Sequence, residues 1–149
     1  MERLIMRKNV NLYAGKRVAI DTMLMIYVLE HHPEYMQVVA EIFEDAQSVI
    51  CSSFLLGELF AGLYKKGDQK AVDTILGYVE DAENLEIYPF DHSTSLVFAK
   101  LRAQHPNYSS PDCIHLATAL QFEADVFITN DKRLKNLSGL KVLNLEELL

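Results

Sequence analysis

The chain has 149 residues, half of them hydrophobic, which is enough for one domain with a substantial core. Against 14 Lys and Arg stand 21 Asp and Glu, a balance that excludes a nucleic-acid binder working through basic excess alone. The apolar segments are interrupted well short of the ~20 consecutive residues of a membrane span, and residues 1–7 lack the long apolar run of a signal peptide.

In chain order, residues 1–16 read as an N-terminal extension with an edge strand near 10–13, and residues 17–149 as a single domain. The run at 17–20 predicts the first strand. Asp21 follows it directly, and the largely apolar run from Met23 to Glu30 predicts a helix that stops before Pro33, because the residue preceding proline disfavours helix. Val39, Ile42, Phe43 and Ala46 recur at helical spacing. Residues 48–51 predict a second strand, and Ser53 caps a helix running to Lys66, where Gly67-Asp68 breaks it. Val72, Ile75, Leu76 and Val79 stripe the next helix. Residues 85–88 form a third strand stopped by Pro89, and 91–104 a helix. Ser110-Pro111 predicts a helix start, with Ser as cap and Pro at the first helical position. A fourth strand at 126–129, a short helix over 131–136 and a fifth strand at 141–143 complete the chain, with Asn144 and Glu147 spaced as a capping box. Five short apolar strands alternating with helices predict an α/β fold: a parallel sheet covered on both faces, with right-handed crossovers, in a three-layer α/β/α domain.

Four carboxylates carry the functional signal. Asp21 follows the first strand and Asp131 the fourth, at the edge where ligands bind in open α/β sheets. Glu58 lies one turn after the second strand, between Phe54 and Leu55 on one side and Ala61 and Gly62 on the other. Asp112 sits in the first turn of its helix. Taken singly, each has an ordinary structural reading: caps for Asp21 and Asp131, dipole complement for Asp112, a solvated side chain for Glu58. Those readings leave the joint pattern unexplained. Carboxylates without His or Cys partners suit Mg²⁺ or Mn²⁺ rather than Zn²⁺, and such ions act on phosphodiesters.

The segments Val18-Ala19-Ile20-Asp21-Thr22, Ser53 to Gly62, Ser110 to Leu120 and Phe127 to Leu134 occur in the order found in PIN-domain ribonucleases of the VapC toxin type, which this chain resembles over residues 17–149. The resemblance implies metal-dependent endonucleolytic cleavage of RNA. It places Asp21, Glu58, Asp112 and Asp131 around Mg²⁺ or Mn²⁺, as catalytic and metal-binding residues of a cytoplasmic toxin. It also implies a small antitoxin protein as partner, and a homodimer. Two departures stand out: Met23 occupies a position where the family often has a small polar residue, and the extension at 1–16 is longer than the family's.

Thr22, Thr129 and Asn130 are candidates for orienting the carboxylates. His115, one turn after Asp112, reads as a satisfied, partly buried histidine, and Cys51 and Cys113 as reduced core residues. Lys65 and Lys66 form one basic group with Lys70; Arg3, Arg7, Lys8, Lys16 and Arg17 form a second, and Lys132, Arg133 and Lys135 a third. Lys65 and Lys66 are the candidates for drawing RNA to an acidic site. Two rival functions use the same residues: a PIN fold that binds RNA or protein without cutting, and phosphotransfer through an aspartyl-phosphate on Asp21. The second lacks an acid two residues after Asp21 to move the proton.

Overall fold

The computed structural model describes residues 9–149. Strands β1 (Arg17–Ile20), β2 (Ser48–Ser52), β3 (Leu85–Tyr88), β4 (Val126–Thr129) and β5 (Lys141–Asn144) form one sheet in the order β3-β2-β1-β4-β5. Every pairing is parallel. Helices α1 (Thr22–Leu29), α2 (Met36–Asp45), α3 (Ser53–Lys65), α4 (Gln69–Asp81), α5 (His92–Gln104) and α6 (Ser110–Gln121) connect them. Among the described residues, no helix is long and apolar enough to cross a membrane.

Alternation along β1 shows why the sheet has two covered faces. Val18 and Ile20 join a core with Leu24, Val38, Val39, Ile42 and Leu55, from α1, α2 and α3. Ala19, on the opposite face, joins Leu101, Leu116, Ala117 and Phe127, on the side of α5 and α6. A third cluster, Leu59, Leu63, Val72 and Ile75, fastens α4 onto α3.

The strand order fixes the position of the site. The chain builds outward from β1 to β2 and β3, then returns to place β4 on the other flank of β1. The C-terminal ends of β1 and β4 therefore border a topological switch point, the crevice where such sheets bind ligands. The opposite end of β1 is clamped. Arg17 donates to Ser48 Oγ at 3.3 Å, to Glu86 at 3.0 Å and to the Phe122 carbonyl at 2.9 Å, while its amide donates to Asp125 at 2.8 Å.

Several local expectations are corrected. The edge strand expected at 10–13 is a 3-10 helix, Val10–Leu12, followed by a fully buried Tyr13. Arg3, Arg7 and Lys8 lie outside the described residues. The caps sit one residue earlier than expected. Ser52 accepts from the Phe54 amide, and Ser109 shares a full capping box with Asp112. No helix forms over 131–136. The Asp131 side chain takes the Arg133 amide, Asn136 takes the Val142 amide, and Leu137 bridges Leu140 around Gly139 at φ 84°. The closing capping box of Asn144 and Glu147 is present, on a 3-10 helix over Leu145–Leu148.

Candidate active site

Asp21 occupies the N-cap position of α1 in extended conformation, yet its side chain makes no capping hydrogen bond. The Met23 amide is only near enough to favour its charge weakly. One carboxylate oxygen, Oδ2, accepts from the Thr129 hydroxyl at 2.5 Å. The other, Oδ1, is buried without a hydrogen-bond partner. Asp21 is only 8% exposed, and burial pushes its pKa up; the nearby Asp112 charge pushes the same way, while Thr129 and His115 pull it down. A capping role is therefore a poor account of this residue.

Glu58 reaches the same place from α3. Its Oε1 accepts from the Thr22 hydroxyl at 2.6 Å and lies 3.1 Å from Nε2 of His115. Thr22 and His115 are themselves 3.3 Å apart, so three side chains from α1, α3 and α6 meet at one oxygen. The His115 hydrogen bond holds the Glu58 carboxyl below the usual range, against the opposing effect of partial burial.

Asp112 closes the third side. Asp21, Thr22, Met23, Ile26, Glu58, Pro111, Asp112 and His115 line one cleft of about 310 Å³. Asp131 is not among them. Arg133 donates to Asp131 at 2.6 Å and to Asp112 at 3.5 Å, linking the fourth acid to the third, and this pairing lowers the Asp131 pKa.

The remaining expected residues divide. Thr129 supports Asp21 and also accepts the Asp131 amide at 3.0 Å. Asn130 turns away from the carboxylates and donates to the Tyr27 hydroxyl at 2.8 Å. Lys65 and Lys66 are exposed at the end of α3 and do not line the cleft; Lys66 lies 3.6 Å from Glu30. Two site neighbours were undervalued in the sequence. His115 is only 3% exposed and contacts Glu58, and Arg133 bridges two acids. The spacing of His115 from Asp112, one helical turn, was the available signal for the first.

Among the described residues, no three His, Cys, Asp or Glu side chains form a ready-made metal cage. The donor chemistry nevertheless fits a hard cation. The unpartnered Oδ1 of Asp21 is a buried carboxyl oxygen, and such a polar atom is costly unless something satisfies it. Asp112 and Glu58 supply further carboxylate oxygens on the same cleft. Oxygen-only donors of this kind suit Mg²⁺ or Mn²⁺.

The sequence matches the PIN domain family over residues 18–140, so the chain belongs to that family. Its fold is that of solved VapBC toxin–antitoxin proteins. The VapBC2 structure from Rickettsia felis, bound to a fragment of its promoter, is 20% identical with a TM-score of 0.67, covering 85% of this chain and 97% of that one. DNA-bound VapBC from Salmonella typhimurium is 18% identical with a TM-score of 0.68, covering 87% and 98%. Mycobacterium tuberculosis VapC20, described as a sarcin–ricin loop cleaving toxin, is 13% identical with a TM-score of 0.63, covering 77% and 90%. No curated protein matches the chain.

Proposed function

We propose that this PIN-domain protein is an endoribonuclease dependent on Mg²⁺ or Mn²⁺, and the toxin of a toxin–antitoxin pair. The observation that carries the reading is the buried, unpartnered Oδ1 of Asp21 on a cleft shared with Glu58 and Asp112. The toxin–antitoxin neighbours support a small antitoxin partner, and the description of VapC20 supports RNA as substrate.

Asp21, Asp112 and Glu58 would hold the cation, with Asp131 joining once Arg133 releases it. When bound, the cation offsets the carboxylate charge and polarises the phosphodiester. Thr129 keeps Asp21 in place. Met23 and Ile26 supply apolar walls that limit water in the cleft. Lys65 and Lys66 draw the RNA backbone toward a protein of opposite overall sign.

Incubation of the purified protein with RNA tests this. Cleavage should require Mg²⁺ or Mn²⁺, stop with EDTA and be lost in Asp21→Asn while circular dichroism stays native. Undiminished cleavage by that variant would refute the role of Asp21. A non-cutting RNA-binding module is the second reading, favoured by the way Arg133 already neutralises Asp112 and Asp131. RNA binding without metal-dependent cleavage would decide for it.

A further inference from the structure

We infer that His115 is a positioning residue for the metal site: with Thr22 it fastens Glu58 by Oε1 and thereby reserves Oε2 for the cation. This rests on the metal reading above and assigns it a component outside the four acids.

Hydrogen-bond roles at this junction are forced. The Thr22 hydroxyl, 2.6 Å from Oε1, donates to a carboxylate that can only accept. Nε2 of His115, 3.1 Å from the same oxygen, must therefore carry a proton and donate as well. A carboxylate held twice through one oxygen has its rotation fixed, and Oε2 is left unclaimed by either donor.

Packing alone does not account for the imidazole. His115 is 3% exposed, with the Phe54 ring 6.0 Å away and Thr22 and Glu58 at its Nε2. Its Nδ1 is buried without a partner. A buried polar atom left unpaired costs free energy that an apolar side chain of similar shape would avoid. With Nδ1 unpaired, the polar contacts of the ring all lie at Nε2. Helix α6 thus contributes Asp112 directly and, one turn later, the group that steadies Glu58 from another helix.

The test is Mn²⁺ binding by titration calorimetry, without RNA, on the wild type and on His115→Phe, His115→Gln, Glu58→Gln and the Glu58→Gln/His115→Phe double variant. Loss of a partner that orients a metal ligand weakens affinity by about 10–100-fold, and His115→Phe should lie in that range. Gln, whose amide can stand where Nε2 stood, should restore most of the loss. In the Glu58→Gln background His115→Phe should add nothing, because the group it positions is gone. Thermal melts separate this from a structural role. A His115→Phe protein with a lowered Tm but wild-type Mn²⁺ affinity overturns the proposal, and so does independent loss in the double variant. If His115→Phe fails to fold, the comparison of wild type with His115→Gln and Thr22→Val decides: affinity falling with Thr22→Val but kept with Gln supports the proposal, and unchanged affinity in both overturns it. A wild type that binds no Mn²⁺ overturns the metal reading and this inference with it, whereas binding that ignores His115 overturns the inference alone.

Discussion

The Thr129 hydroxyl donates to Oδ2 of Asp21 across 2.5 Å, joining the ends of two adjacent parallel strands at the switch point of the sheet. Thr129 is fully buried, so its hydroxyl has no water as an alternative partner. Thr129→Val keeps the shape and removes the donor. A hydrogen bond to a charged group is worth about 1.5–3 kcal/mol, and the variant should lose stability on that scale in urea melts. Thr129→Ser should recover most of it. Equal stability of Val and wild type would show that the contact carries no weight.

Asp21→Asn should behave oppositely when no metal is present. Burial raises the folded pKa of Asp21 above its unfolded value, so the native state holds the proton more tightly than the unfolded chain. That contribution is full below the ordinary carboxylate pKa and is lost as pH rises through the raised folded value. Asn escapes this loss. Its Tm should exceed that of wild type at pH 8, and the gap should narrow on acidification. Glu58 and Asp131, with lowered pKa values, have the reverse sign: their contribution is present above the ordinary carboxylate pKa and is lost as pH falls through the folded value. Excess Mg²⁺ should invert the Tm order, because binding stabilises only the chain that binds. A Tm gap independent of pH would sink the electrostatic account.

Arg133 competes with any cation for Asp112 and Asp131. Its side chain is 59% exposed, so releasing it is inexpensive. Arg133→Ala should tighten Mn²⁺ binding about two- to fivefold, the scale of an exposed ion pair. Calorimetry at low salt is the measurement, and weakened binding would mean that the guanidinium assists rather than competes.

Lys65 stands seven residues from Glu58 on α3, two turns along the helix. Lys65→Ala should weaken RNA binding across sequences and flatten its log–log salt dependence by about one unit, one phosphate contact being lost. Turnover at saturating RNA should hold, since a contact kept from ground state to transition state contributes only uniform binding. An unchanged salt slope would leave Lys65 as a surface charge.

Much of this molecule was legible because its signals are local. The runs at 17–20 and 126–129 announce buried strands, and each is followed by an acid at the switch-point edge. What the sequence hid depends on contacts between distant segments. His115 looks like any half-buried histidine until Glu58, 57 positions earlier, is brought beside it. Arg133 reads as a solvated charge in a short helix. The turn it occupies forms instead because the Asp131 side chain takes its amide, and that turn aims the guanidinium back at Asp112. Asn130 has the chemistry to orient a carboxylate, but a tyrosine on α1 claims it. The caps at Ser52 and Ser109 were displaced by one residue because adjacent serines offer equivalent side chains.

The central position of β1 has a consequence for biosynthesis. Its two neighbours lie far apart in the chain: β2 follows within about thirty residues, but β4 begins only at Val126. During translation, which adds ~5–20 residues per second, the β1–β2 pair can form long before Thr129 leaves the ribosome. Until then Asp21 has no hydroxyl to hold it, and the turn carrying Asp131 and Arg133 does not yet exist. A nascent chain, or a fragment cut short before β4, lacks an assembled site. For a protein proposed to attack RNA, the order of synthesis delays the weapon until β4 and the turn after it have been made.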